Sequence, residues 1–157
     1  MRCIELIVFF VVLLVADIPL APLLAAEAPY SACFEAAGRR YGISPKLLRC
    51  IAEIESGMNP AAVHRNQNGS YDYGIMQINS QWEKIIGRQR WMSLGEPCYN
   101  IHVGAWILAD CIRRHGYSWE AVGCYNATDG EKRRVYARKV MRTLLDAANA
   151  KTESKGN

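Results

Sequence analysis

The 157-residue sequence contains no internal repeat and no low-complexity tract, which excludes solenoid and low-complexity proteins. It also lacks a stripe of lysine and arginine interleaved with aromatic residues, and it contains no recognisable nucleic-acid-binding module. A nucleic-acid partner is therefore not expected. The longest apolar run, Leu6 to Val15, has ten residues. That run is short of the about 20 residues that a membrane-spanning helix needs.

This apolar run is instead typical of a secretory signal peptide. Arg2 places a positive charge before the run, and Leu23-Leu24-Ala25-Ala26 ends in the small residues that favour cleavage near Ala26. We therefore predict a signal peptide over residues 1–26 and an exported protein. A retained N-terminal anchor is the alternative, whereas Cys3 lies too early in the chain for a lipoprotein signal.

Removal of this segment would also change the charge of the protein. It would take away Arg2, Glu5 and Asp17, one positive and two negative groups, so that the formal net charge of +4 becomes +5. A modest positive charge favours association with an anionic polymer such as a cell wall.

The remaining chain has the length of one domain, which we place at residues 27–149. The short polar segment 150–157 is predicted to be a disordered tail.

The stretch from Ser44 to Gly57 has clear signals for a helix at both ends. Ser44 is a candidate N-cap, and Pro45 occupies the first helical position, where its missing N–H is not needed. Gly57 supplies a C-terminal stop. The sequence therefore predicts a helix over Pro45–Ser56.

Glu55 falls on the apolar side of this helix, at its last turn. It follows Leu48 by seven residues and Ile51 by four, whereas Glu53 projects away. A carboxyl group beside apolar neighbours is harder to ionise, so its pKa should rise. A raised pKa is the condition that a general acid needs near neutral pH. The alternative is a boundary glutamate on a solvated edge of the helix.

A β-hairpin is predicted to follow over about Val63–Tyr73. Asn68-Gly69 between two short polar segments is a hairpin signal, and the second arm would carry Asp72. Gly74 would allow a close approach of the backbone. A glutamate at a helix end that faces an aspartate across a cleft is the arrangement of a glycoside-cleaving enzyme.

The other predicted elements are all helical, and they give a fold that is mainly α with a small β-hairpin. Ser118 is a plausible N-cap for one of these helices. The five predicted helices span Ser31–Tyr41, Asn79–Ile86, Tyr99–His115, Ser118–Asn126 and Glu131–Ala148.

Five cysteines remain beyond the predicted signal peptide, and in an oxidising compartment four of them should pair and leave one over. They are Cys33, Cys50, Cys98, Cys111 and Cys124.

A zinc site is the alternative use of two of these cysteines. Cys98 with His102, and Cys111 with His115, share one spacing, and two cysteines with two histidines can hold zinc. The residues between the two pairs are predicted to form one straight helix. Its ends would lie roughly 20 Å apart at 1.5 Å per residue, so the four groups could not meet at one metal. We therefore expect no metal site.

Three short blocks of the sequence resemble those of a known family. Glu55-Ser56, Gly74-Ile75-Met76-Gln77 and Tyr125-Asn126-Ala127 are similar to the three signature blocks of the lysozyme-like lytic transglycosylases. The match extends over roughly Ser31 to Met141 and is best for the periplasmic subfamily that accompanies type III and type IV secretion systems and pili. The run from Glu55 through Ser80 also resembles animal C-type lysozyme.

This resemblance implies a lysozyme-like fold and a role for particular residues. Glu55 would be the catalytic acid, Tyr125 would lie near it, and Ser56 would support Glu55 or the substrate. The residues expected to contact the sugar or line the cleft are Gln77, Asn79, Asn126 and Tyr136. The family pattern continues Tyr-Asn-Ala with glycine, whereas this chain has Thr128 there and a glycine only at 130. The sequence therefore does not determine the conformation of that loop.

The resemblance also bears on the cysteines. Cys33 and Cys98 occupy positions that resemble a recurrent bridge of the subfamily, so we expect them to pair. Cys50 would then pair with Cys111 or with Cys124, and the sequence does not decide between them. A bridge from Cys50 would stiffen the helix that carries Glu55.

The function implied is a periplasmic, monomeric lytic transglycosylase without a cofactor. It would cleave the β-1,4 bond between N-acetylmuramic acid and N-acetylglucosamine in peptidoglycan and leave a 1,6-anhydro end, opening the wall for a secretion apparatus or pilus. The alternatives are a hydrolytic muramidase, a non-catalytic wall-binding assembly subunit, and a disulfide-bonded structural protein of the apparatus.

The role of Asp72 is where the two resemblances differ. Many lytic transglycosylases use one catalytic glutamate, whereas C-type lysozymes add an aspartate at the position that Asp72 matches. If Asp72 faces Glu55, its negative charge would stabilise an oxocarbenium-like transition state and raise the pKa of Glu55. In the alternative, Asp72 only forms hydrogen bonds within the hairpin turn.

Overall fold

A computed structural model of the chain describes residues 28–153. The predicted signal peptide lies outside these residues, as do residues 154–157 of the predicted tail. In the described part of the chain, no helix is both long enough and apolar enough to cross a membrane.

Seven helices and three short strands make up residues 28–153, which confirms a mainly α fold with a small β element. The helices are α1 (Ser31–Tyr41), α2 (Pro45–Ser56), α3 (Glu83–Ile86), α4 (Arg88–Met92), α5 (Pro97–His115), α6 (Trp119–Asn126) and α7 (Gly130–Glu153). The strands are β1 (Val63–Arg65), β2 (Tyr71–Tyr73) and β3 (Ile78–Asn79). Two 3-10 turns, Ser80–Trp82 and Ser93–Gly95, complete the chain between β3 and α5.

The strands form an antiparallel sheet in the order β1-β2-β3. The predicted hairpin is confirmed: His64 pairs with Asp72, and the turn contains Gly69 in the left-handed region at φ 82°. The third strand is missing from the prediction, which began a helix at Asn79. Asn79 is instead extended and pairs with Asp72, and its side chain accepts a hydrogen bond from the backbone N–H of Gln81. Asn79 therefore caps the following turn rather than starting a helix.

The remaining helices also differ from the prediction. α6 begins at Trp119 and α7 at Gly130, each one residue from the predicted Ser118 and Glu131. α4 lies in a segment predicted to be a loop, and α5 begins at Pro97, where proline suits a first helical turn, rather than at Tyr99. α7 continues past Ala148 to Glu153, so residues 150–153 of the predicted tail are helical. No glycine or proline interrupts the sequence between Gly130 and Gly156, and α7 therefore has no local signal to stop earlier.

α5 runs through the centre of the molecule, with α1 and α6 packed on it and with α7 packed against α2 and α6. Each fully buried aliphatic side chain contributes about 1.5–3 kcal/mol to folding. The largest fully buried apolar side chains are Phe34, Leu48, Ile51, Ile75, Met76, Ile78, Leu94, Ile101, Leu108 and Val140.

Two disulfides fix α5 to its neighbours. Cys33–Cys98 joins α1 to α5, as the resemblance implies, and Cys111–Cys124 joins α5 to α6. Both expected pairings of Cys50 are therefore wrong, because the short connection after α5 brings the Cα atoms of Cys111 and Cys124 to 5.8 Å. Cys50 is a buried free thiol on α2. Cys98 and Cys111, which the zinc alternative required, are both oxidised.

Candidate active site

Glu55 lies on the last turn of α2, as the sequence predicts. Pro45 opens the helix, and Ser44 is at the N-cap position, although its side chain makes no capping hydrogen bond. Gly57 ends the helix in the left-handed conformation at φ 60°; its N–H donates to the carbonyl of Glu53, and the N–H of Met58 donates to that of Ala52. The helix therefore ends at Ser56, directly after Glu55, and leaves the Glu55 side chain at the rim of the core.

The environment of Glu55 favours its protonated form. Burial, with a contribution from the negative charge of Asp72, raises the pKa of Glu55, and the net value is about 7. The hydroxyl of Tyr136 donates a hydrogen bond to Glu55 Oε1, and Lys139 adds a positive charge, and both lower this pKa. Burial outweighs these two effects, so Glu55 is a carboxyl group that gains and loses its proton near neutral pH.

Asp72 lies on β2 and lines the same cavity as Glu55. Its two carboxyl oxygens accept hydrogen bonds from side-chain amides: Oδ2 from Asn66 at 2.9 Å and Oδ1 from Asn79 at 2.7 Å. These contacts hold Asp72 in one orientation. Asp72 thus forms a hydrogen bond within the hairpin, to Asn66, and also lines the cavity.

The neighbours of Asp72 on β2 point away from the cavity. The ring of Tyr71 packs edge-on against Trp91, with ring centroids 5.9 Å apart. Tyr73 pairs with Ile78 across the sheet and is likewise absent from the cavity wall. Side chains alternate between the two faces of a strand, so Tyr71 and Tyr73 lie on the face opposite to Asp72.

The cavity has a volume of about 1000 Å³ and lies between the sheet, α3, the end of α2 and the α6–α7 connection. Its wall is rich in amides and hydroxyls, which suits a polyhydroxylated ligand such as a glycan. The lining residues are Glu55, Asn66, Asn68, Ser70, Asp72, Gln77, Ile78, Asn79, Gln81, Trp82, Lys84, Ile85, Ile107, Cys124, Tyr125, Asn126, Ala127, Thr128, Asp129 and Lys132.

The turn from Tyr73 to Gln77 joins β2 to β3 and supports the cavity floor. Gln77 has a left-handed backbone at φ 48°, and its Nε2 donates to the carbonyls of Ala62 and Gly74, at 3.2 and 2.8 Å. Its amide N–H groups are therefore used by the protein, and its carbonyl oxygen remains for a ligand. Gln77 lines the cavity, as the resemblance implies.

Asn100 holds this turn from beneath. Its side chain is fully buried on α5; Oδ1 accepts from Met76 N at 2.9 Å, and Nδ2 donates to the carbonyls of Tyr73 and Leu94. Sequence reasoning missed Asn100. The available signal was its spacing, four residues before Gly104 on a helix side that is otherwise apolar.

Two further side chains fix the same turn from other helices. The Tyr125 hydroxyl donates to Met76 O at 2.7 Å, and the Ser56 hydroxyl donates to Ile75 O at 2.8 Å. Tyr125 is half-buried beside Glu55 and Asp72, and desolvation followed by these two negative charges raises its pKa well above the ordinary value. The Tyr125 hydroxyl therefore stays protonated, and its hydrogen bond to the turn persists at all ordinary pH values.

The structure thus brings most of the expected site residues together. Glu55, Asp72, Gln77, Asn79, Tyr125 and Asn126 all line one cavity. Tyr136 is buried and reaches the site through its hydrogen bond to Glu55. Ser56 is the exception, because it does not line the cavity and its hydroxyl is used by the carbonyls of Ala52 and Ile75.

The α6–α7 connection does not require the glycine that the family pattern has at position 128. Thr128 is not among the residues with positive φ, and Ala127 before it is extended at φ −149°. Asp129 then caps α7, accepting a hydrogen bond from Lys132 N at 3.0 Å. A β-branched residue at 128 is therefore compatible with this loop.

Within residues 28–153, no group of three or more His, Cys, Asp or Glu side chains is placed to hold a metal ion. The chemistry that the cavity itself can supply is proton transfer. A carboxyl group with a pKa of about 7 lies beside a second, hydrogen-bonded carboxyl group in a space large enough for several sugar units. Two such groups flanking one bond are what glycoside cleavage needs.

Comparison with known proteins agrees with this geometry. The family model described as the transglycosylase SLT domain matches residues 32–143. Protein IpgF of Shigella flexneri is 42% identical over 132 residues, covering 80% of this chain and 85% of that protein. Invasion protein IagB of Salmonella typhimurium strain SL1344 is 38% identical over 140 residues, covering 85% and 88%.

Among solved structures, lytic transglycosylase Slt from Pseudomonas aeruginosa, crystallised as an inactive mutant, matches with a TM-score of 0.61. The match has 18% sequence identity and covers 79% of this chain and 25% of that chain. At this identity the likeness concerns the fold. It shows a shared fold over 79% of this chain, which confirms the predicted fold class.

Proposed function

Because the chain belongs to the transglycosylase SLT family and is a lytic transglycosylase, we propose that Glu55 is its catalytic acid and base. The observation that carries this proposal is the pKa of Glu55, which burial raises to about 7 at the wall of a glycan-sized cavity. A glutamate with that pKa holds a proton for the leaving group near neutral pH and can take one back afterwards.

The proposed substrate is peptidoglycan, cut at the β-1,4 bond between N-acetylmuramic acid and N-acetylglucosamine. Glu55 donates its proton to the leaving oxygen as the bond from that oxygen to C1 breaks. The ionised Glu55 then removes the proton of the muramoyl 6-hydroxyl, whose oxygen forms the new bond to C1. The product is a 1,6-anhydro sugar, no water is consumed, and Glu55 ends as it began.

We assign Asp72 to the stabilisation of positive charge at C1. Its carboxyl group shares the cavity with Glu55 and is held in place by Asn66 and Asn79. A fixed negative charge lowers the energy of an oxocarbenium-like transition state without having to reorganise during the reaction. Tyr136 would position Glu55 through their hydrogen bond.

The sugar contacts are proposed for the remaining polar groups of the wall. Gln77 offers its free carbonyl oxygen, and Asn126 lies beside Tyr125 at the α6 end of the cavity. Asn66 and Asn79 also line the cavity, and each donates one amide hydrogen to the carboxyl group of Asp72.

The proposed location is the periplasm, where peptidoglycan lies. The four paired cysteines agree with an oxidising compartment. We propose that the enzyme opens the wall locally for a secretion apparatus or a pilus. Support comes from the similarity to a protein named for invasion, IagB, over 85% of this chain.

A turbidity assay on purified sacculi tests the proposal against a non-catalytic wall-binding protein. The Glu55→Gln variant should fold and bind sacculi but should lose about 10²–10⁴-fold or more of the lytic rate, because a positioned general acid contributes about that much. Lysis at the rate of the unchanged protein would remove Glu55 from the mechanism. The absence of lysis by the unchanged protein would instead favour the wall-binding alternative.

A hydrolytic muramidase is the second candidate, and the position of Asp72 favours it. Two carboxyl groups on one cavity are also the equipment of a hydrolase in which water, rather than the 6-hydroxyl, completes the reaction. The two reactions differ in their products, by which they can be separated.

A further inference from the structure

The two sides of α7 have different surroundings. On one side Lys132 lines the active-site cavity, and Tyr136, four residues on, contacts Glu55. Arg134 is two residues from Lys132 and therefore points roughly 200° around the helix from it. The side of α7 that carries Arg134 has no part in the catalytic cavity.

This second side bears a groove, which we call the α7 outer groove. It has a volume of about 180 Å³ and lies between α7 and the beginning of α6. Trp119, Ala137 and Met141 form its apolar part, and the indole of Trp119 is 40% exposed. Leu145, four residues after Met141 and 56% exposed, continues the apolar surface along the helix.

A row of arginines runs beside this apolar surface. Arg134, Arg138 and Arg142 follow one another at four-residue spacing on α7. Arg134 forms an ion pair with Glu131, and Arg138 lies 3.9 Å from the same carboxyl group. Arg142 is absent from the salt bridges found within residues 28–153.

The groove rim therefore keeps an excess of positive charge. Glu120, the other acid at the groove, is bound to Arg133 at 2.9 Å and neutralises that residue instead. Arg134 and Arg138 share a single carboxyl group, that of Glu131, and Arg142 beside them adds a third positive charge. Exposed apolar residues next to arginines that outnumber their carboxylate partners are the composition of a protein-binding surface rather than of an ordinary solvated helix face.

We propose that the α7 outer groove binds a helical segment of another protein that carries acidic side chains beside apolar ones. The apolar residues Ala137, Met141 and Leu145 recur every four residues, which matches the spacing of side chains along one face of a partner helix. The arginine row would pair with acidic residues on that helix, since guanidinium and carboxylate groups form strong double hydrogen bonds.

Two other occupants fit less well. A second copy of this chain would place one arginine row against another, and like charges brought together weaken an interface. A flat lipid surface would touch the rim but would not fill a concave space whose floor is Ala137, 7% exposed, and Met141. The groove lies apart from the catalytic cavity, so the inference stands independently of the reaction assigned to Glu55.

The test uses a synthetic, fluorescently labelled helical peptide with leucine at every fourth position and glutamate on both sides of that row. Its anisotropy is measured against the full-length exported protein. Two peptides serve as comparisons: one in which every glutamate is lysine, and one of unchanged composition with its leucines scrambled. The account predicts binding of the acidic peptide, at least tenfold weaker binding of the scrambled one, and none of the basic one.

Variants then locate the site. Arg138→Glu and Leu145→Glu, both at exposed positions, should each weaken binding of the acidic peptide about tenfold or more and leave lysis of sacculi unchanged. Arg90→Glu, an exposed charge reversal on α4, is the matched control and should bind normally. Equal binding of the acidic and basic peptides, or unchanged binding by Arg138→Glu and Leu145→Glu, would overturn the proposal.

The other occupants are measured in parallel. Sedimentation of the protein alone reports self-association, and flotation with phosphatidylglycerol vesicles reports lipid binding. Suppose that the acidic peptide fails to bind and that self-association or lipid binding is present but is lost in Leu145→Glu. The groove would then be assigned to a second copy or to lipid, and the proposal would be refuted. Since lysis is measured separately, a failure here does not bear on the catalytic assignment.

Discussion

The side-chain amide of Asn100 fills the space directly in front of Gly74. A Cβ atom added at residue 74 would lie 2.1 Å from Asn100 Nδ2, closer than any two such atoms can approach. Asn100 can therefore bind the backbone on both sides of residue 74, at Tyr73 O and Met76 N, only because residue 74 has no side chain. Through this contact α5 sets the position of the turn that carries Gln77.

The first prediction uses two glycines with the same backbone conformation. Gly74 and Gly69 have φ of 80° and 82°, but nothing lies within 4 Å of a Cβ at residue 69. Gly69→Ala should therefore cost only the left-handed backbone penalty, about 1–2 kcal/mol. Gly74→Ala should cost at least about 2 kcal/mol more, because it also displaces a buried amide from its hydrogen bonds. Urea denaturation measures the difference, and equal losses of stability would contradict the role given to Asn100.

The second prediction concerns the pH dependence of lysis. The alkaline limb of the rate should follow ionisation of Glu55, whose pKa is about 7. The Tyr136 hydroxyl stabilises the ionised form, so Tyr136→Phe should move this limb to higher pH. The charge of Asp72 destabilises the ionised form, so Asp72→Asn should move it to lower pH. Initial rates of lysis across pH 5–9 would show this, and shifts in the same direction would refute the assignment.

The third prediction concerns stability rather than rate. The pKa of Glu55 is about 7 in the folded protein against 4.5 for the free group, so folding favours its protonated form. Stability from this group is complete below pH 4.5 and is lost as pH rises through 7. Glu55→Gln, which cannot ionise, should thus gain stability relative to the unchanged protein by up to about 3 kcal/mol between pH 4 and pH 8. Urea denaturation at the two pH values tests this, and Glu53→Gln on the same helix is the control.

Much of the fold could be predicted because its signals are local. Ser44-Pro45 and Gly57 mark the ends of α2, Asn68-Gly69 marks the hairpin, and Ser118 accepts from Ala121 N as an N-cap should. β3 could not be predicted in this way, since two residues carry no periodicity. Its pairing depends on Asp72 and Tyr73, which lie across the sheet rather than nearby in the chain.

The site shows the same division between local and distant information. The place of Glu55 on the apolar side of α2 indicated a raised pKa, and the hairpin signal at Asn68-Gly69 placed Asp72 on the second arm. The roles of Asn100 and Ser56 depend on contacts 24 and 19 residues away in sequence, to Met76 and Ile75. The pairing of Cys111 with Cys124 similarly depends on how α5 and α6 meet, which no spacing of cysteines reports.

The chemical form of the new sugar end decides whether Glu55 completes a transglycosylase reaction. Sacculi are digested with the unchanged protein, and the muropeptides released are separated and weighed by mass spectrometry. A 1,6-anhydro product is lighter than the hydrolytic one by one water. The account predicts that anhydro muropeptides predominate, that Asp72→Asn yields the same products more slowly, and that Glu55→Gln yields almost none. A predominance of reducing-end muropeptides would contradict it and would show a hydrolase with Asp72 as its second carboxylate.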